Sequence, residues 1–121
     1  MSRRRTITVI RGDGGRIVCD RCEIADGLVT RARGLLGRSG LDRGEGLLLK
    51  PTFSIHTFFM RFPIDVVFLD KSDSVVAVVR KLKPWRAATR MRARAVLELS
   101  AGEADRVGIQ VGERLEAVAA S

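Results

Sequence analysis

A single proline constrains this chain more than any other residue. Pro63 divides its richest apolar stretch, Ser54 to Asp70, into two runs of strand-forming residues. A proline is not accommodated inside a paired central strand, so the pattern predicts two strands joined by a short turn near Arg61, Phe62 and Pro63. Four of the five phenylalanines and the only histidine lie in this stretch. His56, Thr57, Arg61 and Asp65 interrupt its apolar residues, and a hairpin that serves only to pack needs no histidine, arginine and aspartate so close to the core.

The register of that hairpin decides what it can do. With a three-residue loop, Met60 opposes Ile64, and Asp65 shares a face with Thr57 and Phe59. With a four-residue loop, Met60 opposes Asp65, which then falls on the His56 face. A slip of one residue moves every side chain across the sheet. Only the second register readily builds a His56–Asp65 pair.

Flanking segments supply further strands. Thr6 to Ile10 and Arg16 to Ile24 read as strands around a turn at Gly12-Asp13-Gly14-Gly15. Asp26 is a good N-cap for a helix over Gly27 to Leu36, stopped at Gly37. Residues 37–46 are glycine-rich and charged, a surface loop matching neither phosphate-cradling template. Gly46 to Lys50 and Val75 to Val79 are short apolar strands, the latter suited to cover on both faces. Arg80 to Arg94 carries seven cations (Arg80, Lys81, Lys83, Arg86, Arg90, Arg92, Arg94), no acid and the only tryptophan, Trp85, beside Pro84. Charge repulsion and the proline predict a solvated excursion there. Ala95 to Leu99 resumes as a strand. Ser100-Ala101-Gly102-Glu103 matches a capping box opening a short helix closed near Gly108, and Glu113 to Ala119 forms the last strand.

With 121 residues there is room for one domain. The expected fold class is α+β: a mostly antiparallel β-barrel or tightly curled sheet with two short helices. Residues 1–15 supply a basic arm and the first strand, and residues 16–121 the domain proper. No run approaches the roughly 18 apolar residues of a membrane span. Ile7 to Ile10 is too short for the apolar core of a signal peptide, so the expected compartment is the cytoplasm. A net charge of +8 favours acidic partners, although arginine-rich coding bias yields the same balance.

Cys19 and Cys22 form a C-x-x-C within a strand-like segment. Zinc wants about four ligands, and His56 is the one further soft ligand. Residues three apart on a regular strand point to opposite faces, so a disulfide would be strained and both are expected as ordinary reduced thiols. No metal or cofactor is expected.

Several blocks in fixed order carry a family likeness. Arg33-Gly34-Leu35-Leu36-Gly37-Arg38, Gly44-Glu45-Gly46-Leu47-Leu48-Leu49 and His56-Thr57-Phe58-Phe59-Met60 come first. Pro63-Ile64-Asp65-Val66-Val67-Phe68-Leu69-Asp70 and Val96-Leu97-Glu98-Leu99-Ser100-Ala101-Gly102 follow. Over roughly residues 16–118 the chain resembles the family called domain of unknown function 192. The resemblance implies a compact β-rich domain and no particular activity.

Three functions compete on these residues. A non-enzymatic binding or adaptor module would use a shallow pocket of His56, Arg61, Asp65 and Trp85, with Arg38 and Glu98 as further candidates, to hold a small acidic ligand, a peptide or a protein. A hydrolase-like enzyme would use His56 and Asp65 as an acid/base pair, but no activated nucleophile and no Gly-x-Ser-x-Gly elbow accompanies them. A polyanion binder would use Arg80–Arg94 for weak, salt-sensitive contact with nucleic acid or anionic lipid. Each residue also has a plain structural role open to it. His56 can be a hydrogen-bonded rim residue and Asp65 a turn acceptor. Arg61 can be solvated or paired with Asp65, and Arg38 can complement a helix C-terminus. Glu98, alternating between Leu97 and Leu99, is expected to be exposed.

Overall fold

In a computed structural model, which describes residues 5–25 and 38–119, strands dominate. They are β1 (Arg5–Arg11), β2 (Ile17–Ala25), β3 (Glu45–Leu49), β4 (Ser54–His56), β5 (Ile64–Leu69), β6 (Val75–Leu82), β7 (Ala87–Thr89), β8 (Ala95–Ser100) and β9 (Glu116–Ala119). Seven form one sheet in the order β6-β5-β8-β3-β2-β1-β9, antiparallel except for β2–β3, while β4 and β7 form a separate two-stranded ribbon.

Two parts of the expected architecture are overturned. The sheet is not a barrel: β6 and β9 remain its two edges, and just outside them an isolated bridge pairs Ser74 with Arg114. Among the described residues there is one α-helix, α1 (Glu103–Arg106), of four residues, instead of two. The expected helix over Gly27 to Leu36 lies outside the described residues.

The predicted hairpin within Ser54–Asp70 is also replaced. β4 does not pair with β5. It pairs with β7, while β5 pairs with β6 around the Asp70–Ser74 turn. Asp70 closes that turn, accepting the amides of Ser72 and Ser74 at 2.8 and 3.1 Å. These two bonds, Ser74's foremost, hold its carboxyl below the usual range. The four strands are thus one long hairpin, β4 and β5 on one arm and β6 and β7 on the other. It bends at residues 57–63 and 83–86, so that the ribbon folds back over the sheet.

The bend lets both faces of the sheet be covered. On one side Ile55 and Met60, with half-buried Ala88, pack against Ile64, Val66, Phe68 and Val96. On the other, Ala104, Val107, Ile109 and Leu115 cover Val67, Leu97 and Leu99. Alternate residues of β5 and β8 therefore meet apolar layers on both sides, which is why β5 is buried at every position.

Asp65 organises the α1 side. Its carboxylate is fully buried and accepts three backbone N–H groups: Lys81 at 2.8 Å, Gly102 at 3.0 Å and Ala104 at 2.8 Å. The start of α1 is therefore capped from a distant strand. Ser100 belongs to β8, and Gly102, at φ 94°, takes the N-cap position without a side-chain bond of its own, so the capping box is not formed. Lys81 turns its N–H to Asp65 from the left-handed region (φ 53°), at a bulge where β6 holds one more residue than β5.

A second bulge corrects the reading of the cysteines. Between the pairs Thr8–Cys22 and Ile10–Cys19, β2 advances three residues while β1 advances two. The extra residue brings both thiols to the same buried face, among Ile10, Leu48 and Leu99. Both are free. The hydrogen bond with Cys19, reinforced by burial, pushes the Cys22 thiol well above its ordinary value. Among the described residues no cluster of three metal-ligating side chains forms.

Candidate functional site

Thr57 holds the bend of the long hairpin. Its hydroxyl is buried, donates to the Lys83 carbonyl at 2.6 Å and accepts the Arg86 amide at 2.9 Å. Its own N–H bonds the Arg86 carbonyl at 2.8 Å, and its carbonyl accepts the amides of Met60 and Trp85. One residue thereby pins both turns together. The first arm uses seven residues to round the corner and the second uses four, so the excess at Phe58-Phe59 is pushed outward.

What is pushed outward is aromatic. Phe59 is 71% and Trp85 56% exposed, with ring centroids 4.7 Å apart. Both sit in the left-handed backbone region, at φ 66° and 65°, a conformation that costs a residue with a side chain on the order of 1 kcal/mol or more. Phe58 stacks on Trp85 at 6.0 Å and on His56 at 4.8 Å. The His56 Nδ1 accepts the Phe58 amide at 3.2 Å, which fixes the ring against its neighbour. His56 stands on the outer face of the ribbon, opposite Ala87, and Lys83, Arg86 and Arg61 are exposed on the same two turns.

The residues singled out from the sequence divide accordingly. His56 and Trp85 come together through Phe58. Asp65 does not join them: it faces α1, across the sheet from the ribbon, and its oxygens hold backbone amides. Neither the His56–Asp65 pair nor an Arg61–Asp65 pair forms, and one pocket shared by His56, Arg61, Asp65 and Trp85 is not assembled. Arg38 reaches Glu45 at 3.3 Å, at the start of β3. Glu98 is buried, not exposed, because β8 lies inside the sheet between Leu47 of β3 and Val66 of β5.

The basic stretch is likewise dispersed, and the solvated excursion contains a strand, β7. Arg80 pairs with Asp105 of α1 at 2.6 Å, and Lys81 belongs to the β6 bulge. Lys83 and Arg86 flank Trp85. Arg90 lies over the Phe68 ring at 5.5 Å, and Arg94 donates to the carbonyls of Met91 and Ala93. Arg92 is exposed and its charge helps hold the Asp70 carboxyl down. Sequence alone does not mark Thr57, Phe58 and Phe59 as site residues. The available signal was a pair of phenylalanines next to a threonine, matched by Lys83-Pro84-Trp85 on the facing turn.

Comparison with known proteins places this geometry in a family. The model of DUF192 (Uncharacterized ACR, COG1430) matches residues 8–117. The chain belongs to DUF192. Its relatives include the UPF0127 protein of Pyrococcus abyssi, 35% identical over 79% of this chain and 85% of that protein. That of Thermococcus sibiricus is 31% identical over 84% and 69%. The same fold occurs in a protein of unknown function from Novosphingobium aromaticivorans, with a TM-score of 0.79 and 22% identity, covering 95% and 93% of the two chains. A proposed transcription regulator from Sinorhizobium meliloti has the fold at the same TM-score and 23% identity.

Proposed function

We propose that this DUF192 protein is a non-enzymatic binding module whose recognition surface is the bent end of the β4–β7 ribbon. The observation that carries this reading is the Phe59–Trp85 pair: two large rings held in solvent, each on a strained backbone, by a buried threonine. Strain at residues that contribute nothing to the core is a pointer to function. Water-exposed rings in contact, rimmed by cations, suit a partner with apolar and acidic character. The acid/base alternative is weakened by Asp65, whose oxygens are already bonded to three amides on the other side of the sheet.

Trp85 is the only tryptophan, so its emission reports directly on this surface. The test titrates the protein with inorganic phosphate, poly-glutamate, a single-stranded oligonucleotide and anionic lipid vesicles. At least one should shift the Trp85 emission saturably. Phe59→Ala should weaken that response about tenfold with an unchanged melting temperature. Binding that ignores Phe59→Ala, or no response to any probe, would count against the ribbon as the recognition surface.

A further inference from the structure

The two arms that carry the ribbon hold one sign of charge. Residues 50–64 and 75–97 contain no aspartate or glutamate, whereas Arg61, Lys83, Arg86, Arg90, Arg92 and Arg94 are all exposed along them. Apolar groups protrude at both ends. Phe58, Phe59 and Trp85 stand at the corner; at the far end Phe53 and Met91, the latter 70% exposed, line an open hollow of about 540 Å3 with Ser54 and Arg94. Between the ends, the outer face offers only Ser54, His56, Ala87 and Thr89, with the Ser54 and Thr89 hydroxyls 2.7 Å apart. A three-residue ribbon is about 10 Å long, so the two apolar ends are close enough to meet one flat surface together.

Taking the ribbon as the binding surface, we infer that its partner is an anionic lipid bilayer. The aromatic corner and the Phe53–Met91 end enter the headgroup layer, and the flanking cations meet lipid phosphates. Tryptophan and phenylalanine beside lysine and arginine are the side chains that the bilayer interface accepts. Arms without aspartate or glutamate limit repulsion from the negative surface, and the nearby Asp70 carboxylate is offset by Arg92. A single-stranded nucleic acid is the less suited polyanion. It needs a run of open ring faces on which successive bases stack, yet the rings of His56, Phe58 and Trp85 stack on one another, which leaves Phe59 and Phe53 at opposite ends of the ribbon.

The test adds vesicles of phosphatidylcholine, with or without phosphatidylglycerol, to the full-length protein. With phosphatidylglycerol present, Trp85 emission should shift to the blue and be quenched by lipids brominated in their acyl chains. Phe59→Ala should lower vesicle affinity about tenfold, and Phe59→Leu much less. Lys83→Ala and Arg86→Ala should each lower it about fivefold. Val111→Ser, at an exposed apolar residue away from the ribbon, should change nothing. Vesicle binding without quenching and indifferent to Phe59→Ala would be counterion attraction alone and would overturn the inference. Oligonucleotide binding lost in Phe59→Ala, with no vesicle binding, would overturn the lipid partner and leave the binding module standing. Silence toward vesicles and every other probe would remove both.

Discussion

The carboxylate of Asp65 on β5 accepts the backbone N–H of Ala104 at 2.8 Å, 39 positions further along the chain. With the Lys81 and Gly102 bonds it ties an interior strand, an edge-strand bulge and a helix start into one buried joint. Asp65→Ala leaves three N–H groups without their acceptor, each worth about 1–3 kcal/mol when buried. The expected loss is about 3 kcal/mol or more in urea unfolding. Asp65→Asn should recover only part of it, because its NH2 group must face at least one of those amides. An alanine variant as stable as the parent would refute the joint.

Thr57 should behave as a local latch. Thr57→Val keeps the shape but leaves the Arg86 N–H and the Lys83 carbonyl unpaired, at a cost of about 1–3 kcal/mol. Hydrogen exchange should show the Arg86 and Trp85 amides opening faster while those of β5 and β8 keep their protection relative to global unfolding. Thr57→Ser, which retains the hydroxyl, should restore the slow exchange. Uniform loss of protection across the sheet would contradict a local role.

Glu103 supplies the acid-sensitive contact. Its carboxylate takes two bonds from Arg106, at 2.6 and 2.7 Å, and this partner holds its pKa below the usual value despite burial. A depressed folded value means that the stabilisation is complete above the unfolded pKa of about 4.3 and is lost as pH falls through the folded one. Glu103→Gln should therefore lose stability at pH 7, by no more than about 1 kcal/mol because Arg106 remains partly exposed. The difference from the parent should shrink below about pH 4.3 and vanish in stronger acid. A difference independent of pH would assign the effect to packing.

Gly46 marks a close backbone approach. A Cβ there would lie 2.7 Å from the Cys19 sulfur, 3.1 Å from a Leu99 methyl and 3.2 Å from the Glu98 carbonyl oxygen. Gly46→Ala should cost about 1–3 kcal/mol by overpacking. Cys19→Ala in the same chain should return about 1 kcal/mol of that, a coupling that a double-mutant cycle measures. Strict additivity would place the clash elsewhere.

These contacts also show which features local sequence could reveal. The apolar runs of β5, β6 and β8 and the turns at Gly12–Gly15 and Asp70–Ser74 are set by neighbouring residues and were legible. Ser54–Asp70 was misread because the partner of β4 lies about thirty residues away, in Ala87-Ala88-Thr89, whose small side chains give little strand signal amid arginines. Alternation misplaced Glu98 because it presumes one wet face, and β8 has none. The cysteines were placed on opposite faces because a bulge leaves no mark in spacing. Of the candidate site, His56 and Trp85 were legible as unusual residues. Phe59 was hidden among apolar neighbours, since its exposure comes from unequal arm lengths at a corner.

That corner also sets an order of assembly. β4 and β7 continue the arms of the hairpin begun at Asp70–Ser74, so pairing of β5 with β6 already draws Thr57 and Arg86 together. Little loop entropy is then left for the ribbon to overcome. It should zip last and fray first. Substitutions that loosen the ribbon, Thr57→Val among them, should therefore act on the unfolding limb of a chevron and leave the folding limb almost untouched, which lets this surface change its side chains with little effect on how fast the sheet beneath it forms.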